Sequence, residues 1–429
     1  MTKYPTYKDS GIEWLGQIPT HWELLKAKYM FQKNKREVQD GDKVITCFRD
    51  GQVTLRENRR TTGFTESITE IGYQGIRKGD LVIHQMDAFA GAIGVSDADG
   101  KGTSVYHCCT PKGEYLTYYY AHVIREMALK GYIQSLYRGI RERSSDFNYV
   151  TFGNCLLPVP TPSEQRQIVA YLDYKSNKIN ERICQREREL QTLSELKQAE
   201  IAAVVTRGLD PNVPMKESGI EWIGQIPAHW EVTQLRKYLR LFSDKGHPDM
   251  DLLSVTREQG VIVRDITSKE ENHNFIPDDL SGYKLIQKGQ FAINKMKAWQ
   301  GSYGVSKYKG IVSPAYYTCE LNNIDTEYFD VAIRSQAYIG FFTKYSKGIR
   351  SGQWDLSPDA LKSIPFVEPP IVEQRAIVSY ITEISEKIDS YITKLKEEIN
   401  YLQEYKQRLI SDVVTGKVDV RGVEIPNEE

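Results

Sequence analysis

Residue types that perform catalysis occur here in only a few suggestive spacings, and each spacing is incomplete. Glu195–Lys197 has a nuclease-like Glu-x-Lys order, but it falls in a helical heptad pattern, where alternating charge is typical of a solvent-exposed face. Phe89–Ile93 lacks the final glycine of a Phe-x-Gly-x-Gly motif, and no Asn-Pro-Pro-Tyr/Phe occurs. Gly100–Gly102 and Gly416–Val418 lack the upstream glycine and the hydroxyl residue of a phosphate-binding loop. We therefore predict no catalytic site in this chain.

The histidines and cysteines show no metal-ligand spacing either. His21 and His229 occupy equivalent places in two copies of His-Trp-Glu, so a packing or partner-contact role is favoured over catalysis. The six cysteines form no Cys-x-x-Cys pair, and Cys108 and Cys109 are direct neighbours. This arrangement is unusual for a disulfide framework or a zinc site. We expect reduced thiols, a cytoplasmic protein and no metal.

Clustered basic residues are the remaining candidates for function. Residues 280–319 contain six lysines and residues 331–354 contain four basic residues, with no Asp or Glu in either stretch. Cations interleaved with Tyr and Trp suit a surface that follows phosphates, and base edges are read by Arg, Lys, Asn and Gln. Ordinary surface lysines are the alternative for any single residue. The predicted DNA contacts are Arg56, Arg59, Arg141, Arg143, Asn294, Lys295, Lys297, Gln300, Lys344, Lys347, Arg350 and Gln353.

The elements that must position these residues belong to a unit that occurs twice. Lys8–Glu23 and Lys216–Glu231 differ only at positions 9, 15 and 20 and their partners 208 residues later. Each Trp-rich opening segment is followed by about 130 residues of short Val/Ile/Tyr/Thr-rich runs, a proline-rich stretch and a long helical pattern. Short anchors keep the register, whereas the intervening residues differ freely. The chain is a tandem duplication with two diverged middles.

The short apolar runs predict strands of a small mixed α/β domain in each unit. Examples are Val44–Thr46, Leu81–His84, Gln290–Ile293 and Ile311–Cys319.

The long helices carry the clearest periodicity. Thr161–Glu164 is a capping box with Pro162 at the first helical position, in which Glu164 is expected to reach back to the cap. In the second copy Pro370 occupies the cap position, and Gly208 and Gly416 mark the two helix ends. The first helix has apolar residues at Ile168, Leu172, Ile179, Ile183, Leu190, Leu193 and Val204. The second has a heptad seam of Ile377, Ile381, Ile384, Ile388, Tyr391, Leu395, Leu402, Tyr405 and Leu409.

Homodimerisation is the usual role of such a helix. Two helices of matching length in one chain favour intramolecular antiparallel pairing instead. The predicted fold is therefore α+β, with two mixed α/β domains separated by two long helices that form an antiparallel coiled coil. The boundaries are a first domain at 1–160, a helix at 161–207, a linker at 208–215, a second domain at 216–370, a helix at 371–416 and a tail at 417–429.

Bulk properties restrict the function classes. The 429 residues exceed one compact core, and 40% hydrophobic with 11% aromatic residues is typical of a globular protein. No run approaches the roughly 20 apolar residues of a membrane span, and the N-terminus lacks a signal-peptide core. A formal net charge of −1 means that any nucleic-acid binding must use local basic surface.

The framing motifs resemble those of the specificity subunits of type I restriction–modification systems. Ser-Gly-Ile-Glu-Trp-x-Gly-x-Ile-Pro-x-His-Trp-Glu opens both units, and Glu-Gln-Arg-x-Ile-Val begins both helices at Glu164 and Glu373. The likeness covers essentially the whole chain, and it departs from the pattern only at the second capping box.

This resemblance implies two target-recognition domains, each reading one half of a bipartite asymmetric DNA site. It implies that the helices act as a spacer and as a docking site for two methyltransferase subunits that use S-adenosylmethionine. The complete complex would add translocase/nuclease subunits that use ATP and Mg²⁺, so this chain would hold no cofactor and would not be an enzyme by itself. The shared ends of the units are predicted to pack and to dock partners, through Trp14, Trp22, Trp222, Trp230, Gln165, Arg166, Gln374 and Arg375.

Two other functions stay open at this point. A coiled-coil adaptor without DNA binding would explain the helices but not the basic, strand-rich domains. A self-sufficient restriction–methylation enzyme would need the motifs that are missing.

Overall fold

The structure is a computed structural model that describes residues 2–59, 72–136, 147–265, 276–277, 279–348 and 354–426. The chain divides into two compact units. Unit 1 comprises Met1–Arg186 with Glu397–Glu429, and unit 2 comprises Glu187–Lys396. Each unit thus takes half of each long helix, whereas the predicted boundaries treated the helices as separate segments.

Unit 1 contains twelve strands among the residues that the structure describes. They are β1 Tyr7–Asp9, β2 Gln17–Pro19, β3 Glu23–Lys26, β4 Phe31–Asn34, β5 Ile45–Cys47, β6 Val53–Leu55, β7 Gln74–Ile76, β8 Leu81–His84, β9 Ile93–Val95, β10 Gly100–Gly102, β11 Tyr106–Pro111 and β12 Leu156–Val159. Its helices are α1 Ala27–Met30, α2 Thr117–Leu129, α3 Tyr132–Ser135, α4 Tyr149–Asn154, the first part of α5 Pro162–Arg207 and the last part of α9 Ile371–Val414.

Unit 2 repeats this series within its own described residues. Its strands are β13 Met215–Glu217, β14 Gln225–Pro227, β15 Glu231–Gln234, β16 Leu239–Phe242, β17 Leu253–Thr256, β18 Gly260–Val263, β19 Lys284–Ile286, β20 Phe291–Asn294, β21 Tyr303–Val305, β22 Gly310–Val312, β23 Tyr316–Leu321 and β24 Pro365–Glu368. Its helices are the last part of α5, α6 Thr326–Arg334, α7 Gln336–Tyr345, α8 Pro358–Ser363 and the first part of α9.

The sheet topology is the same in both units. The central sheet is four-stranded, with the order β4-β11-β8-β9 in unit 1 and β16-β23-β20-β21 in unit 2. Each unit adds four two-stranded sheets, which are β1-β2, β3-β12, β5-β6 and β7-β10 in unit 1 and β13-β14, β15-β24, β17-β18 and β19-β22 in unit 2. All of these strand pairs are antiparallel. The diverged middles therefore keep one fold.

Strand β8 shows why its residues form a buried central strand. Successive side chains of a strand point to opposite faces. Leu81 and Ile83 pack into the larger core of unit 1 with α2, and Val82 packs on the other face against Ile45 and its neighbours. Both faces are thus covered, which explains why β8 is a continuous apolar run and why its prediction is confirmed to the residue.

One predicted strand is interrupted. The run Ile311–Cys319 splits into β22 and β23 at Ser313–Ala315. Pro314 has no N–H to donate to a ladder, and the Ser313 hydroxyl accepts from the Ala315 N–H at 3.4 Å. The proline therefore turns the chain inside an otherwise apolar segment.

Both long helices lie where the periodicity predicts, and the N-cap of α5 is confirmed in part. The Glu164 N–H donates to the Thr161 hydroxyl at 3.3 Å, as a Thr cap requires. The Glu164 carboxylate does not return to the cap, however, because it accepts from Tyr4 and His21 instead. The second half of the predicted capping box is wrong for this physical reason.

Within each unit the two helix segments run antiparallel. In unit 1, Lys406 Nζ lies 2.8 Å from the Asn180 side-chain oxygen, and Arg186 Nε lies 2.9 Å from a Glu398 oxygen. In unit 2, Lys197 Nζ lies 2.6 Å from an Asp389 oxygen, and the Tyr380 hydroxyl donates to Glu200 at 2.7 Å. The residue numbers on one segment fall as those on the other rise, which is the sign of antiparallel packing.

The seam of α9 differs from the predicted one at two tyrosines. Tyr391 and Tyr405 are 46% and 47% exposed, whereas Ile399 is 8% exposed and takes a buried position. A tyrosine counts as apolar in a heptad pattern, but its hydroxyl favours a place at the edge of a helix contact. Tyr391 uses its hydroxyl to donate to Glu189 at 3.0 Å.

Among the described residues, no helix is both long enough and apolar enough to cross a membrane.

Candidate nucleic-acid interface

The opening segment of unit 1 is fixed by a buried glutamate at the start of α5. Glu164 is 3% exposed. One of its oxygens accepts from the Tyr4 hydroxyl at 2.6 Å, and the other lies 3.1 Å from His21 Nε2. Burial and the neighbouring carboxylate raise the pKa of the Tyr4 hydroxyl well above its usual range. Trp22 packs edge-on to Tyr4, with ring centroids 6.0 Å apart.

Unit 2 uses the equivalent glutamate differently. Glu373 accepts from the Trp230 indole N–H at 2.8 Å and lies 2.6 Å from His229 Nε2. Its side chain is 39% exposed. The two His-Trp-Glu histidines therefore both contact the glutamate at a helix start, and their side chains, 40% and 44% exposed, leave partner contact open as well.

The glutamines of the two Glu-Gln-Arg motifs are buried, and each hydrogen-bonds the start of its long helix to the adjoining domain. Gln165 accepts from the Leu116 N–H at 2.8 Å and donates to the Pro160 carbonyl at 3.0 Å. Gln374 makes the same two bonds, to the Asp325 N–H at 3.0 Å and the Pro369 carbonyl at 2.9 Å. Neither side chain has free surface for a partner, so each positions the helix on its domain.

The predicted partner-docking residues thus divide by exposure. Trp22 and Trp230 are fully buried and Trp14 is 8% exposed, so their role inside the chain is core packing. Three residues of the set present surface, namely Trp222, Arg166 and Arg375. Trp222 lies on Phe341 at 4.4 Å between ring centroids, and the Lys344 ammonium lies 5.1 Å from its ring.

The basic stretch of unit 2 forms a local positive cluster. The backbones of Lys245 and Lys284 form an isolated antiparallel β-bridge, and the Lys284 ammonium donates to the Tyr316 carbonyl at 2.5 Å. Partial burial and the charges of Lys245 and Lys295 lower the pKa of Lys284. Mutual repulsion of this kind favours a bound anion. Lys245 lies outside the acid-free stretches, so the sequence pattern missed it.

The predicted DNA contacts of unit 2 differ in exposure. Lys295 pairs with Asp355 at 3.1 Å, and this hydrogen bond raises the pKa of Lys295. Asn294 is 5% exposed and accepts from the Met296 N–H, so it supports the turn rather than projecting from it. The remaining predicted residues with accessible side chains are Lys297, Gln300, Lys344 and Lys347.

An aromatic pair lies beside these cations. The Trp299 and Trp354 ring centroids are 5.2 Å apart with an interplanar angle of 51°. Aromatic rings next to cations can pack against sugars or bases.

Of the DNA contacts predicted in unit 1, the structure describes Arg56 and Arg59, and both contact neighbouring side chains. Arg59 is held by Asp50 at 2.6 Å and lies 4.3 Å from the Phe48 ring. Arg56 is half-buried, with its Nε 3.4 Å from the Thr46 hydroxyl. Four predicted contacts, Arg141, Arg143, Arg350 and Gln353, lie outside the described residues.

The nuclease-like Glu195–Lys197 is occupied by helix contacts. Lys197 pairs with Asp389, and Glu195 accepts from the Gln191 amide at 2.9 Å. Within the described ranges, no group of three or more His, Cys, Asp and Glu side chains could hold a metal ion. All six cysteines are free thiols, five of them buried.

Comparison with known proteins identifies what this arrangement is similar to. No protein-family profile matches the chain. The type I restriction enzyme MjaVIII specificity subunit of Methanocaldococcus jannaschii is 23% identical over 290 residues, which are 63% of this chain. The match spans 64% of that relative, slightly less than two thirds of its length. The resemblance to type I specificity subunits is confirmed.

Two solved structures agree with that result. A chain from a study of complex assembly and conformational transition in a type I restriction–modification system has a TM-score of 0.63, 14% identity, and coverage of 94% of this chain and 99% of its own. The specificity subunit HsdS of Thermoanaerobacter tengcongensis has a TM-score of 0.50, 14% identity, and coverage of 97% and 100%. At this identity the likeness shows the fold, which is mixed α/β with long helices.

Proposed function

We propose that this chain is the DNA-recognition subunit of a type I restriction–modification complex. Each unit reads one half of a bipartite, asymmetric DNA site. The observation that carries the proposal is the contrast inside the repeat. The two units share their strand order, their framing motifs and the buried glutamines at the helix starts, whereas the residues on the loops between these features differ. A common scaffold with different surfaces is what two readers of different half-sites require.

The helices supply the second part of the proposal. We infer that α5 and α9 pair as an antiparallel coiled coil, set the gap between the half-sites and dock two methyltransferase subunits. Two weak readers on a stiff spacer gain avidity only when the half-sites match its span. The exposed Trp222, Arg166 and Arg375 are proposed to contact those partners.

In this proposal, other subunits carry out the methylation and cleavage of DNA. Adenine methylation in duplex DNA requires the base to leave the stack and enter a pocket, and the described residues include no such catalytic constellation. S-adenosylmethionine, ATP and Mg²⁺ would be held by the methyltransferase and translocase/nuclease subunits. The complex would act on DNA in the cytoplasm.

A mobility-shift experiment tests the proposal against the adaptor alternative. The chain with its methyltransferase partner is titrated into a mixed oligonucleotide pool at several salt concentrations. We expect binding that weakens steeply with salt, because phosphate contacts release counterions. Absence of binding at low salt with the methyltransferase present would leave the coiled-coil adaptor as the better explanation.

A domain exchange tests the independence of the two readers. Residues between Glu23 and Leu157 are replaced by those of a relative with a different site. Only one half of the recognised sequence should change. Altered recognition of both halves would contradict two independent readers.

A further inference from the structure

The turn that follows β8 in unit 1 and the turn that follows β20 in unit 2 share their backbone hydrogen bonds. It comprises residues 85–92 after β8 and residues 295–302 after β20, and we refer to these as the sheet-edge turns. The His84 N–H donates to the Ala92 carbonyl at 3.0 Å, and the Asn294 N–H donates to the Ser302 carbonyl at 3.0 Å. The bonds from Gly91 to Ala88 and from Gly301 to Ala298 are each 2.9 Å. These backbone bonds are therefore shared by the two turns.

Each sheet-edge turn is held rigidly by a buried alanine and a glycine of left-handed conformation. Ala88 and Ala298 are fully buried at equivalent positions. Gly91 and Gly301 adopt φ values of +88° and +91°, which L side chains disfavour. A rigid element holds the side chains that it presents in one geometry, which is a requirement of a precise binding site.

In both turns, the first carbonyl accepts a hydrogen bond from a segment that is distant in sequence. The Phe147 N–H donates to the Gln85 carbonyl at 3.1 Å, and the Leu356 N–H donates to the Lys295 carbonyl at 3.1 Å. This backbone contact is common to two units whose side chains differ here. The duplication has therefore preserved the position of the turn while its sequence diverged.

The side chains on this fixed backbone follow a simple pattern. The first and third positions differ in charge and hydrogen-bonding type, with Gln85 and Asp87 in unit 1 and Lys295 and Lys297 in unit 2. The position between them is methionine in both. Met86 is 51% exposed and Met296 is 50% exposed. A single exposed apolar residue is ordinary, but the same residue at the same place on matching turns indicates a shared contact.

We propose that the sheet-edge turns are base-reading elements, in which the exposed methionine packs on a base edge and the two flanking residues select the sequence of each half-site. This inference rests on the proposed function. Methionine is unbranched and polarisable and adapts to apolar surfaces such as a thymine methyl group. Lysine can donate to guanine, glutamine can pair with adenine, and aspartate can accept from cytosine.

Nearby charges orient two of the flanking residues. Asp87 is paired with Arg49 at 2.9 Å, and Lys295 is paired with Asp355 at 3.1 Å. Both pairs are exposed and therefore weak, so they pre-orient the side chains and can open on DNA. The two units accordingly present opposite charge on one scaffold, which predicts different half-sites.

The test changes one turn and reads both halves of the site. The double substitution Gln85→Lys and Asp87→Lys gives the turn of unit 1 the flanking residues of unit 2. The variant and the parent chain are each expressed with the methyltransferase partner, and methylated motifs are determined by sequencing. We expect one half of the split motif to change and the other half to stay. The control Asp40→Lys changes the charge by +2, against +3 in the turn variant, on exposed surface of the same unit outside the turn, and should leave both halves unchanged.

A milder substitution tests the methionine. Met296→Ala should lower affinity for the cognate site roughly tenfold, as expected for loss of one apolar side-chain contact, with no change in melting temperature. Met250→Ala removes a methionine of the same unit that is 37% exposed and should leave affinity unchanged.

The outcomes separate the two levels of the proposal. A parent chain that yields no methylated motif would overturn the proposed function and this inference together. A parent that methylates a split motif, with a turn variant that methylates the same motif, would overturn the base-reading role of the turns alone. Equal affinity of Met296→Ala and the parent would exclude the methionine contact.

Discussion

The two equivalent glutamates at the helix starts provide a matched pair for testing how the opening segments are held. Glu164 is buried and bonded to Tyr4 and His21, whereas the Glu373 side chain is 39% exposed and bonded to Trp230 and His229. The chain thus offers one substitution at two sites that differ in burial.

The magnitudes follow from that difference. Glu164→Ala removes a charge-assisted hydrogen bond and leaves the Tyr4 hydroxyl buried without its acceptor, which costs about 3 kcal/mol. Glu373→Ala should cost about 1 kcal/mol, because water can replace the carboxylate at an exposed site. The expected difference of about 2 kcal/mol corresponds to a factor of roughly 30 in the opening equilibrium.

Hydrogen exchange measures this local stability. The hydrogen-bonded amides of Gln165 and Gln374, at the starts of α5 and α9, report opening of each helix start separately. Tyr4→Phe alone should cost about 1 kcal/mol, whereas in the Glu164→Ala background it should restore part of the lost stability, because it removes the hydroxyl that has lost its acceptor. Equal losses at the two helix starts, or full additivity of Tyr4→Phe with Glu164→Ala, would refute the assigned hydrogen bonds.

Three further predictions concern pH, salt and length. Burial, followed by the charges of Arg125 and Lys406, lowers the pKa of His122 to about 4. The unfolded state therefore binds a proton at a higher pH than the folded state, so the free energy of unfolding of unit 1 falls by about 3 kcal/mol between pH 6.5 and 4. Urea titrations of His122→Gln should not show this pH-dependent loss. Lys297→Ala should reduce the slope of log affinity against log salt by about 1, whereas exposed Lys387→Ala on α9 should not. Seven residues inserted into both helices at the paired level of Lys197 and Asp389 lengthen each by about 10 Å, so methylome sequencing should show a gap longer by about three base pairs with unchanged half-sites.

The fold was largely predictable because its signals are local and repeated. Helix periodicity, the glycines that end α5 and α9, and the apolar run Leu81–His84 all depend on neighbours in sequence. The framing motifs identify the duplication because near-identical segments recur in one chain. The same local signals misplaced Tyr391 and Tyr405, because a heptad pattern does not distinguish a buried ring from one at the edge.

The site was less predictable because its contacts join distant residues. Tyr4 and Glu164 are 160 positions apart, and no periodicity links them. Exposure decides which of the tryptophans in the opening segments can meet a partner, and exposure is a property of the folded chain. The sheet-edge turn of unit 1 carries no sequence signal of its own, because Gln85 and Met86 belong to no charged cluster. The residues that the sequence singled out remain predictions for DNA contact.

Methylome sequencing of cells with and without this gene tests the central claim most directly. We expect adenine methylation to be lost at one split motif when the gene is removed and to return when the chain is restored together with its methyltransferase partner. An unchanged methylome, in cells whose methyltransferase partner is active, would contradict the claim that this chain selects the site.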